Sequence, residues 1–121
     1  MADEIIDESE ETEGQLAIDV YQDDENIYII APIAGTAPAN IDVQITDEVV
    51  TIRGERKSGH KAGEEQHFVQ ECYWGPFGRT FVLPIAVDSE KAKAQMKNGL
   101  LSITIPKDSR SKTKSLKIET G

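Results

Sequence analysis

Two histidines, one cysteine and a surplus of carboxylates are the side chains of this 121-residue chain that could do chemistry. His60 and His67 lie in or beside the polar run GERKSGHKAGEEQ, residues 54–66, near Glu64, Glu65 and Cys72. A metal site needs three or four converging ligands, and these residues show no recurring ligand spacing. Cys72 sits in ECYWG, which has no activated-thiol pattern; a lone cysteine is ordinarily a small buried hydrophobe. No carboxylate pair lies in the apolar surroundings that would raise a pKa for acid catalysis. No glycine loop of phosphate-binding spacing is present. These readings point away from an enzyme, a metal or a cofactor, and toward a binding module whose activity is a surface.

The elements that must build such a surface are short. Leu16, Ile18 and Val20 alternate with Ala17, Asp19 and Tyr21, and a turn follows at Asp23–Asn26. The run IYIIAPI ends near Pro32, and GTAPAN reads as a loop. Ile41, Val43 and Ile45 alternate with polar neighbours, and a tight turn at Asp47–Glu48 leads into VVTIRGER. Beyond the polar run come HFVQECY, the interruption WGPFG, RTFVLP and LLSITIP, each rich in β-branched or aromatic residues. Nine or so short strands at this spacing predict an all-β sandwich or barrel. Residues 91–97 are ambiguous. Their residue types favour a helix, their alternation favours a strand, and the Asn98-Gly99 that follows is a strong hairpin signal.

Composition bounds the partners. The formal net charge of −9 argues against nucleic acid, whose phosphates need a basic surface. The acid is unevenly spread: residues 1–14 hold seven acidic groups and no basic one, and the rest holds 15 acidic against 13 basic. Residues 1–14 therefore read as a disordered acidic arm. No run approaches the ~20 apolar residues of a membrane span, and the N-terminus lacks the basic start and apolar stretch of a signal peptide. One cysteine leaves no intrachain disulfide. A cytoplasmic location is expected. The aromatics cluster at Phe68, Tyr73, Trp74, Phe77 and Phe81; core packing accounts for Phe81, while Trp74 sits at a bend beside Gly75-Pro76.

Two motifs carry a resemblance. FGRTFVLP (Phe77, Arg79, Phe81, Leu83, Pro84), followed by AQMKNGLL with Ala94, Asn98, Gly99, Leu100 and Leu101, resembles the α-crystallin domain of the small heat shock proteins. The likeness covers roughly residues 15–107. It implies an immunoglobulin-like β-sandwich of two antiparallel sheets, with residues 91–97 a strand paired to 100–105 through the Asn98-Gly99 turn. Ala92, Ala94 and Met96 then face inward with Leu101, Ile103 and Ile105. The resemblance also implies a homodimer by loop exchange, in which residues 54–70 cross to a partner's first strand, here Leu16–Tyr21. Leu16, Ile18, Val20, Phe68, Glu71 and Arg79 would form that interface, with Glu71 and Asp88 as conceivable ionic partners of Arg79. A C-terminal Leu116-Lys117-Ile118, within the flexible tail 108–121, would dock in a groove lined by Val43, Ile45, Ala94 and Met96. The chain departs from the family in its short, acidic arm, which puts large oligomers in doubt. The function so implied is an ATP-independent chaperone for unfolding clients, without nucleic acid or membrane. The alternatives are a co-chaperone-type sandwich serving an ATP-driven chaperone and a cytosolic immunoglobulin-like adaptor.

Overall fold

The computed structural model describes residues 13–58 and 66–121. Among these residues eight strands form: β1 (Gly14–Gln15), β2 (Asp19–Gln22), β3 (Asn26–Pro32), β4 (Ile41–Ile45), β5 (Val49–Arg56), β6 (Gly75–Val82), β7 (Lys93–Lys97) and β8 (Leu100–Pro106). They make two four-stranded sheets, β1-β6-β5-β4 and β2-β3-β8-β7. Every pairing is antiparallel except the short parallel contact of β1 with β6.

Alternation decides the core. Ile27, Ile29 and Ala31 of β3 lie opposite Ile105, Ile103 and Leu101 of β8, so each pair shares one face of the sheet. Val50 and Ile52 of β5 and Phe77 of β6 close on them from the other sheet, and all are buried. Each fully buried Ile or Val of this set contributes roughly 1.5–3 kcal/mol of transfer free energy, opposed by the entropy of ordering the chain. Packing is close enough to make Gly54 necessary: a Cβ there would stand 2.6 Å from the Phe77 ring and 3.0 Å from the Asn40 carbonyl.

The ambiguous segment is a hairpin. A single 3-10 turn at Ser89–Lys91 precedes β7, and β7 pairs with β8 in the register Ala94↔Ile103 and Met96↔Leu101. Asn98 and Gly99 both take positive φ, 52° and 77°, the signature of a two-residue mirror-image turn. Local turn chemistry also behaves as read at Asp23, whose carboxylate accepts the Glu25 and Asn26 amides at 2.8 and 2.7 Å. The Asp47–Glu48 turn is held in the same way by the Thr46 hydroxyl, which accepts from Glu48 and Val49.

Two sequence expectations need correction. HFVQECY forms no strand: among the described residues, no strand pairs with it. The expected arm 1–14 reaches too far: Glu13 and Gly14 are held against the sandwich, and residues 1–12 lie outside the described residues. In the tail, Leu116 and Ile118 are exposed, at 79 % and 91 %. No described helix is long and apolar enough to cross a membrane.

Candidate functional site

A sandwich of two sheets leaves two open sides, where the edge strands of one sheet stand over those of the other. On one side β4 faces β7. The hollow between them, about 270 Å³, has Pro38, Ile41 and Val43 on one wall and Ala94, Met96 and Leu101 on the other. Three of the four groove residues expected from the sequence, Val43, Ala94 and Met96, therefore meet here. Ile45 does not line the hollow; it lies further along β4, packed against the core. Ala94 shares its face with buried Ile103 yet is itself exposed, since it lies on edge strand β7, where it lines the hollow. The inward pattern of β7 is right and its burial is incomplete, which is what makes a groove.

On the other side β2 faces β6, and this side is filled at one end. Leu16 is buried at 5 % exposure, so it belongs to the core of its own chain rather than to an exposed edge. The β2 strand is correspondingly Asp19–Gln22 instead of Leu16–Tyr21. Ile18 is half-buried against the core between β1 and β2. Val20 faces inward opposite Ile29, while Tyr21 stacks on Tyr28 outside, ring centroids 5.0 Å apart. Val20, Ile27, Phe81 and Pro84 line a second apolar hollow of about 320 Å³ beside the free edge of β2. Arg79 donates to the Leu16 carbonyl at 3.0 Å, a bond within one chain. Asp88 lies near Lys91, at 3.7 Å.

The segment expected to cross between copies is rich in uncovered apolar surface. Phe68 is fully exposed, Val69 and Tyr73 are exposed, and so are Glu71 and Cys72. Among the described residues no group of three or more His, Cys, Asp or Glu converges as metal ligands; His60, Glu64 and Glu65 fall outside those residues.

One cluster was missed in the sequence. The Glu13 carboxylate lies over Gly78 and pairs with Arg53 at 3.0 Å, with only 19 % of its side chain exposed. The Tyr73 hydroxyl accepts the Gly14 amide at 3.2 Å and donates to the Pro76 carbonyl. The available signal was Gly78 itself: an isolated glycine inside a strand marks close approach by another chain segment.

Two four-stranded sheets of this topology, with an open apolar groove at one side, define an all-β sandwich. The family model for the Hsp20/alpha crystallin family matches residues 19–119. Small heat shock protein C4 of Rickettsia felis is 33 % identical over 100 residues, covering 83 % of this chain and 61 % of the relative. The probable 15 kDa heat shock protein of Leptospira interrogans is 33 % identical over 90 residues, covering 74 % and 68 %. Among solved structures, heat shock protein 16.0 of Schizosaccharomyces pombe aligns with a TM-score of 0.75 at 26 % identity, over 89 % of this chain and all of that one. A small heat shock protein of Xylella fastidiosa aligns at 0.70 and 32 % identity, over 88 % and 95 %. The chain belongs to the Hsp20/alpha crystallin family. It spans 61 % to 68 % of the length of the first three curated relatives it matches.

Proposed function

We propose that this chain is an ATP-independent holdase: it binds partly unfolded proteins and limits their aggregation without a reaction. The observation that carries the reading is the apolar groove between β4 and β7, left uncovered by every described residue of the chain. Extended segments bind such places by inserting alternate side chains, and the exposed Leu116 and Ile118 are spaced to do so, since residues two apart project to one side of a strand. Burying both is worth about 3–5 kcal/mol before ordering costs, and ordering the tail takes back much of that. The tail therefore docks reversibly in its own groove or a neighbour's, and clients compete with it.

Assembly follows the same logic. The free edge of β2 and the exposed Phe68 and Val69 are complementary needs, one for a strand and one for an apolar cover. Loop exchange between two copies meets both, with Glu71 and Arg79 brought near the junction. The Xylella fastidiosa relative is described by its title as having a distinct high order structure, and docking of tails between dimers is the route to one here. A reducing compartment suits the exposed thiol of Cys72.

The decisive measurement is light scattering of a heat-labile protein with and without this chain, in the absence of nucleotide. Scattering should fall in proportion to added chain; unchanged scattering overturns the holdase reading. Sedimentation of a variant lacking residues 58–68 tests the exchange separately. It should run as a monomer with its β circular dichroism intact, and a persisting dimer refutes loop exchange.

A further inference from the structure

The edge of β6 is already occupied by a short extended segment of the same chain, and that segment reads as a bound peptide. Gly14 and Gln15 pair in parallel with Phe77 and Gly78, and the Leu16 amide donates to the Gly78 carbonyl at 3.0 Å. Three of the four positions meet distinct features. Glu13 lies over Gly78, where a Cβ would stand 2.9 Å from its carboxylate, and is held by Arg53. Gly14 lies against the Tyr73 ring, 3.1 Å from where its own Cβ would be. Leu16 fills the opening between the sheets, and Arg79 caps its carbonyl.

We propose that the β6 edge is a binding site for extended protein segments of the pattern carboxylate–Gly–x–aliphatic, filled in cis by residues 13–16 acting as a releasable strap. Strand addition at a sheet edge takes affinity from main-chain hydrogen bonds and specificity from side-chain pockets, and all of these are present. The strap is only two strand residues long, so few hydrogen bonds hold it. What keeps a competitor out is tethering: a segment joined by a short linker acts at an effective concentration on the order of mM. Weakening the strap without touching the site must therefore admit the same segment supplied in trans. Tyr73 ties the site to the base of the 57–74 connection, because one hydroxyl holds both the strap at Gly14 and the chain at Pro76. The site does not depend on the holdase reading.

The test uses the full chain and a fluorescent peptide of residues 13–20, EGQLAIDV, followed by anisotropy. Glu13→Lys sets a cation against Arg53 in the strap alone and leaves the site intact. The peptide should bind this variant about tenfold more tightly than the parent, in line with loss of one charge-assisted contact from the competitor. Hydrogen exchange at the Leu16 amide should quicken alongside. Glu13→Gln, a milder change, should give the same order with a smaller gain. Adding Gly78→Ala should abolish the gain, because the new methyl occupies the seat of the peptide carboxylate. A peptide carrying Leu16→Ser should bind neither protein. Equal peptide binding by parent and variants overturns the proposal, and so does faster Leu16 exchange without any gain in peptide binding. Either result leaves the client-scattering experiment unaffected.

Discussion

The two open sides of the sandwich are built from similar residues and finished differently. Between β2 and β6 the chain inserts its own Leu16 and caps the backbone with Arg79. Between β4 and β7 it leaves Val43, Ala94 and Met96 lining an open groove. An apolar side chain driven between the sheets adds to folding stability; an apolar groove left in water forgoes that gain. The difference separates a side that the chain fills with its own segment from a side that it leaves open.

Truncation should expose that division most strongly. Leu16→Ala should cost about 2–5 kcal/mol, the range for buried leucines, measured by chemical denaturation. Met96→Ala, half-exposed in the groove, should cost well under half as much. Similar losses from the two variants would erase the contrast.

The groove wall depends on a turn. Gly99 takes φ 77°, and a Cβ there would meet nothing closer than Ala34 at 3.7 Å. The cost of Gly99→Val is thus backbone strain alone, roughly 1–3 kcal/mol, readable in the same denaturation curves. A loss near zero would show that β7 is not held by this turn.

The tail sharpens the comparison from the binding side. Leu116→Ser together with Ile118→Ser should change the stability of the sandwich by less than about 0.5 kcal/mol, as expected for exposed positions. Its effect should appear in assembly instead: smaller particles by sedimentation if the tail joins neighbours, more hydrophobic dye bound if it caps its own groove. If particle size and dye binding both match the parent, the tail has no part in the groove.

The smallest effect belongs to the turn that holds edge strand β2. The Tyr28 hydroxyl, donating at 2.7 Å and helped by the Asn26 and Glu25 amides, keeps the Asp23 carboxyl below its ordinary 3.8. A depressed carboxylate stabilises the fold fully above its unfolded value and loses that contribution as pH falls through the folded one. Tyr28→Phe removes the largest cause, so the fall in stability below pH 3.8 should become shallower than in the parent. Thermal melts across that range should show the two proteins converging in acid; parallel curves would mean that Asp23 does not report on the turn.

Much of this molecule was legible because its signals are local. Alternation with a period of two marked β4 and β8, with Leu101, Ile103 and Ile105 on one face, and apolar β-branched runs marked β3 and β5. Asn98-Gly99 specified its own backbone, and the two motifs around it were enough to resemble the right family. The segment 91–97, where propensity and alternation disagreed, was settled by its ladder to β8: once one face is covered by Leu101 and Ile103, strand geometry outweighs helix preference. What stayed hidden was every feature that depends on who lies alongside whom. HFVQECY has strand composition, but a strand needs a partner, and the described residues of its own chain offer none. Leu16 alternates with its neighbours like an edge residue, yet it is drawn between the sheets by the opening beside β6. Glu13 reads as one more acid in a charged arm, and only the bare backbone of Gly78 beneath it and Arg53 beside it make it a latch. Arg79 donates to the Leu16 carbonyl, a partner that periodicity could not point to, since hydrogen-bond partners are chosen by distance in space.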